Sequence, residues 1–177
     1  MEFLNYEFLG NSVSDYLYFV ASFSIGLILI IPFRLFISKL LFKLFGKDND
    51  EDDNVKFNSL LKKPLGYFLV LLVIYFSSNF ITMPDLLISD VEGGLNFGIY
   101  LEKLFNLLLL ITIFWTFNRA IDFVGYKLKN KAMETESKVD DQLIPFAIDI
   151  AKVLTIVLGS VMILGNVFDV NVTALVT

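Results

Sequence analysis

The sequence predicts an all-α membrane protein with four transmembrane helices arranged as two hairpins. Of the 177 residues, 56% are apolar, the mean hydropathy is +0.70, and the apolar residues come in blocks. A helix needs about 20 mostly apolar residues to cross roughly 30 Å of hydrocarbon. Helices of a soluble core keep a polar face, so a soluble bundle is the weaker interpretation. The predicted spans are Tyr16–Phe36, Pro64–Ile81, Leu104–Phe117 and Leu143–Phe168.

The composition also excludes most catalytic chemistry. Cys and His are absent, so thiolate, disulfide and imidazole chemistry are excluded. Alternate Asp residues in the acidic run 47–54 match the first ligands of a calcium loop, but Asp53 stands where Gly is needed and Ser59 where Glu is needed. We therefore expect a solvated acidic loop there. We expect no enzyme, no cofactor and no metal site, and the net charge of −5 argues against nucleic acid.

The distribution of Lys and Arg predicts the orientation of the spans. Of the 14 basic residues, 13 fall in or beside the connections between spans one and two and between spans three and four. Basic loops face the cytoplasm, so both termini are expected outside. The predicted segments are an exterior tail or interfacial helix (1–15), a peripheral hairpin (16–81), an exterior loop (82–98), a second hairpin (99–168) with a cytoplasmic turn (119–142), and an exterior turn (169–177).

Prolines and small residues predict local features of the helices. Pro32 should kink the first helix near its inner end, because it removes a backbone hydrogen bond. Pro64 and Pro145 each stand at the predicted start of an outward-going helix, where proline is tolerated. Gly159 and Gly165 in the fourth span would allow close helix packing.

Cations at the inner ends of the helices are expected in the headgroup layer. Long cationic side chains reach that layer while their stems stay apolar, and there they meet anionic lipid. Ordinary topology anchoring is the alternative role. The residues are Arg34, Lys39, Lys43, Arg119 and Lys127.

The start and end of the fourth span carry the most specific sequence pattern. Asp140 and Asp141 precede it, and an acidic cap at a helix start is favoured over a cation site. The segment Lys138–Pro145 and the segment Leu164–Leu175 resemble, in order and spacing, two segments of the small-conductance mechanosensitive channel family. The residues that carry the resemblance are Asp140, Asp141, Leu143, Pro145, Leu164, Asn166 and Asp169.

This resemblance implies a subunit of a homoheptameric channel in the bacterial inner membrane, opened by membrane tension during osmotic stress. In the family, outer helices tilt in lipid and a Gly/Ala-rich helix lines the pore, followed by a β-rich cytoplasmic domain. The sequence stops at Thr177, where the pore helix would begin. We therefore expect the chain to be the tension-sensing region of a five-span subunit, with membrane lipids and copies of itself as partners. A pore-less structural or scaffold membrane protein, or a partner subunit, is the alternative.

Overall fold

The computed structural model describes residues 2–45, 51–83, 97–132 and 140–171. Most of these residues lie in four long helices, which are listed at the end of this paragraph. Each is long and apolar enough to cross a membrane, so the prediction of a helical multi-pass membrane protein is confirmed. Helices suit this environment because they satisfy every backbone polar group internally. They are α1 (Val13–Phe45), α2 (Glu51–Ser78), α3 (Phe97–Ala132) and α4 (Asp140–Asn166).

The helices extend well beyond the apolar blocks that predicted them. At about 1.5 Å per residue, the length of α1, which has 33 residues, exceeds the thickness of the hydrocarbon layer. Helix α2 begins at Glu51, so the prediction of a loop is wrong for residues 51–54, where three acidic residues form the first turn. Negative charge is favourable at a helix start. Helix α3 continues to Ala132, so the first part of the predicted cytoplasmic turn is helical.

Three prolines lie inside helices. Helix α1 runs through Pro32 without interruption, and the kink predicted there stays a prediction. Pro64 was expected in a first turn, but α2 starts 13 residues earlier, at Glu51, so Pro64 is an interior, fully buried residue. Pro145 lies within the first two turns of α4.

The segment before α1 is a short hairpin instead of a single interfacial helix. A 3₁₀ turn (Glu2–Asn5) precedes β1 (Glu7–Phe8) and β2 (Asn11–Ser12), which pair antiparallel. Leu9 and Gly10 have φ values of 50° and 77°, as two-residue hairpin turns require. Ser12 then caps α1: its amide donates to the Asp15 carboxylate at 2.8 Å, and the Asp15 amide donates back to the Ser12 hydroxyl at 3.3 Å.

The four helices pack side by side in a row. Helix α1 contacts α2, α2 contacts α3, and α3 contacts α4, whereas α1 and α3 barely touch. The two predicted hairpins are therefore joined through the α2–α3 interface. We call the end where α2 and α4 begin the basic end, and the other the opposite end. The core lies at the basic end, around Phe57, Leu61 and Phe123.

Candidate functional site

A buried ion pair joins α2 to α3 at the basic end. The Lys127 ammonium donates to the Asp53 carboxylate, and only 15% and 5% of the two side chains are exposed. Beside it, the rings of Phe57 and Phe123 meet edge-on, with centroids 5.4 Å apart. Lys127 was expected to reach lipid headgroups, and its ammonium instead faces α2, because Asp53 provides a carboxylate there.

A second ionic contact joins α3 to α4 at the same end. The Asp122 carboxylate accepts hydrogen bonds from the Arg119 guanidinium, at 2.9 Å, and from the Lys152 ammonium. Arg119 lies on the same helix as Asp122, whereas Lys152 lies on α4. Arg119 is the most exposed of the three, and its predicted place in the headgroup layer stays a prediction. Asp122 thus connects the last two helices of the row.

Polar contacts also join the helices at the opposite end. The Lys103 ammonium at the start of α3 lies 2.5 Å from the Asp169 carboxylate after α4. Asn11 is 3% exposed, and its side chain donates to the Thr82 carbonyl at 2.8 Å and accepts from the Thr82 amide at 2.7 Å. The N-terminal hairpin is therefore fastened to the chain just after α2.

The two sets of polar contacts are separated by a charge-free belt. On α3, no charged residue occurs between Lys103 and Arg119, a distance of about 24 Å along a helix. That length is close to the hydrocarbon thickness of a bilayer. The ion pairs thus lie where a membrane-spanning row would meet the two lipid headgroup layers.

Within the belt, glycines allow the helices to approach closely. A Cβ atom at Gly159 of α4 would lie 2.9 Å from the Cγ atom of Phe114 on α3, and one at Gly26 of α1 would lie 2.5 Å from a methyl of Val73 on α2. At the basic end, a Cβ atom at Gly125 of α3 would likewise lie 2.4 Å from the Cδ1 atom of Ile148 on α4. Gly159 is buried and Gly165 is partly buried. Such contacts replace the hydrophobic driving force that helices lack in lipid.

The outer faces of the row are apolar and uncovered. No residue in the most apolar stretch of α1 is buried, and only 6% of that stretch of α4 is buried. Helices α1 and α4 occupy the two edges of the row, and each touches one main neighbour. Large bare apolar surfaces mark contact with a membrane or a partner, and here they follow the most apolar stretches of two helices that are long enough to span a membrane.

Sequence reasoning missed the two buried partners, Asp53 and Asn11. A signal existed for Asp53, because it stands four residues before Phe57 and eight before Leu61 on one face of α2. For Asn11 no pattern in the sequence pointed to Thr82. Arg34, Lys39 and Lys43, in contrast, make no ion pair within the described residues.

The motif residues of the fourth span lie at the two ends of α4. Asp140 and Asp141 form its first turn, followed by Leu143 and Pro145. At the other end the Asn166 amide group donates to the Met162 carbonyl at 2.9 Å, and the Val170 amide donates to the Leu164 carbonyl at 3.0 Å. Asp169, with φ of 54°, has a left-handed backbone conformation just after the helix. No family model, no curated protein and no solved structure matches this chain.

Proposed function

We propose that the chain is the tension-sensing transmembrane region of a small-conductance-type mechanosensitive channel. One observation carries the proposal: the four helices form a row whose two edge helices expose their apolar faces along the whole span. A row exposes far more surface to lipid than a compact bundle of the same helices. Membrane tension acts on a protein through differences between its states in lipid contact or in-plane area.

The contacts between neighbouring helices support a common movement of the row. Tension shifts an equilibrium only if two states differ in their interaction with the membrane. Helix tilt changes the lipid contact at a cost of fractions of a kcal/mol per ångström of mismatch. Because α3 and α4 are held at both ends and at Gly159, a tilt of α3 would move α4 with it.

Helix α4 is the proposed output of the region. It lies at one edge of the row and carries the motif residues at its ends. In the proposed subunit it would lead, through the turn at Asp169, into a pore helix, with both ends of this region outside the inner membrane. The proposed partners are membrane lipids and identical subunits, in a heptamer.

Spin labels on single cysteines test the proposal. The sequence contains no Cys, so each introduced residue reports alone. Ile28 of α1 is 70% exposed and Leu158 of α4 is 58% exposed, whereas Leu61 is 1% exposed and provides the matched control. The chain is reconstituted in liposomes, and lysophosphatidylcholine is added to one leaflet to mimic tension.

We expect the accessibility of the labels at positions 28 and 158 to oxygen and to a water-soluble relaxation agent to shift reversibly. The label at position 61 should stay unchanged. Unchanged accessibility at both exposed positions would contradict tension sensing. It would favour the alternative hypothesis of a pore-less scaffold membrane protein.

A further inference from the structure

Five basic side chains lie near the basic end of α1 and α2. Four other basic side chains, on α3 and α4, make ion pairs. The five make no ion pair with any described residue, although acidic groups lie on the same helices. A cluster of uncompensated cations at one membrane surface attracts anionic groups. The residues are Arg34, Lys39, Lys43, Lys62 and Lys63.

An apolar groove between α1 and α2 leads to this cluster. The groove has a volume of about 350 Å³ and is lined on α1 by residues from Ser22 to Phe33 and on α2 by residues from Leu69 to Phe80. Gly66 lies on α2 between the groove and the basic end, and a Cβ atom there would meet no atom within 4 Å. Open space therefore exists beside α2 at Gly66, between the groove and the basic end.

The helix geometry places two of the cations at the mouth of the groove. Arg34 follows the groove residue Ile30 by four positions, and Lys62 precedes the groove residue Leu69 by seven. Both spacings keep a residue on the same helix face. Because Gly26 meets Val73 and the helices are antiparallel, Arg34 and Lys62 differ in level by about three residues, or roughly 4.5 Å.

We propose that this groove binds an anionic phospholipid, with its phosphate between Arg34 and Lys62 and one acyl chain along the groove. A guanidinium matches a phosphate through two parallel hydrogen bonds, and an ammonium adds a point charge. The groove supplies apolar walls to the chain, and the partly buried Arg34 lies between the two regions. This site requires only that the chain spans a membrane, and it stands apart from the proposed channel function.

Native mass spectrometry of the full chain in detergent tests the proposal. The probes are phosphatidylglycerol and phosphatidylcholine with identical acyl chains. The double variant R34Q/K62Q removes the proposed phosphate ligands. The control is K129Q/K131Q, which removes the same charge from two exposed cations at the basic end of α3 that also make no ion pair with a described residue. Gly66→Leu fills the open space below the groove.

We expect phosphatidylglycerol to bind the unaltered chain at least tenfold more tightly than phosphatidylcholine. R34Q/K62Q should abolish this preference, since each cation near an anionic lipid contributes about fivefold, while K129Q/K131Q should change the affinity less than twofold. Gly66→Leu should weaken binding of both lipids at least fivefold. Equal losses in the two charge variants would show general surface attraction and overturn the site. Undiminished binding in Gly66→Leu would overturn the placement of the acyl chain.

Discussion

The contact between Gly159 and Phe114 makes a quantitative prediction about the packing of α4 on α3. An alanine methyl at position 159 would lie 2.9 Å from the Phe114 Cγ atom and 3.1 Å from both Cδ atoms, whereas ordinary contact begins at 3.4 Å. These atoms belong to the near part of the ring and not to the far end of a flexible side chain, so they cannot give way cheaply. The two helices would therefore have to separate by about 0.5 Å, and well-packed interfaces resist such shifts.

The magnitude follows from comparing two alanine variants. Overpacking of this kind costs about 1–3 kcal/mol, while replacing a helical glycine by alanine gains up to about 1 kcal/mol. Gly66→Ala gains the same propensity without a clash, because its Cβ meets nothing within 4 Å. The free energy of unfolding of Gly159→Ala should thus be lower than that of Gly66→Ala by about 1–3 kcal/mol.

The assay is titration of the chain in mixed micelles with sodium dodecyl sulfate, followed by far-ultraviolet circular dichroism. A double-mutant cycle with Phe114→Ala isolates the contact, since shrinking the ring should remove most of the cost of the added methyl. If Gly159→Ala and Gly66→Ala differ by less than about 0.5 kcal/mol, the steric reasoning is refuted.

Four further predictions concern the ion pairs, the orientation and conduction. Lys127→Met should lower the free energy of unfolding by about 3–5 kcal/mol, since it leaves the buried Asp53 carboxylate unpaired; adding Asp53→Asn should restore most of the loss in the same detergent titration, and no restoration would contradict the pairing. Asp122→Asn should cost less than about 1 kcal/mol, because Lys152 is 34% exposed and screened by solvent; a loss as large as that of Lys127→Met would contradict this ranking. A cysteine at Asn49 should be protected from an impermeant thiol reagent in intact cells, as the positive-inside rule requires; labelling from outside would reverse the orientation. The 177-residue chain in liposome patches under suction should show no unitary currents, since the belt offers no charged lining and hydrophobic constrictions dewet; reproducible openings would place a pore within these helices.

The helices themselves could be predicted from the sequence, because the requirement for about 20 apolar residues is a local one. Their ends could not, since the helices continue into polar segments. At Glu51 the acidic run resembled a solvated loop, and only its continuity with the face of Phe57 and Leu61 marked it as helix. Pro64 led to a wrong prediction of where α2 begins, because proline is common in the first turn of a helix but here lies deep inside α2.

The contacts between helices were less accessible to sequence reasoning. Gly159 could be singled out, since a small residue in a Leu- and Ile-rich span indicates close approach, but its partner Phe114 could not. The pair of Asp53 and Lys127 spans 74 residues. Pairings of this kind depend on the order of helices in the row, and the sequence does not specify which two helices lie beside α3. The apolar spans fit several orders equally well.

The link between Asn11 and Thr82 has a consequence for how the protein is made. The two residues are 71 positions apart in the chain, so Asn11 emerges from the ribosome long before its partner exists. Until α2 has crossed the bilayer and Thr82 has reached the same side, the Asn11 side chain lacks the Thr82 amide and carbonyl as hydrogen-bond partners. The hairpin at the amino terminus can therefore dock only after the first two helices have been inserted together. Formation of the hydrogen bonds between Asn11 and Thr82 would therefore mark the completed insertion of α1 and α2.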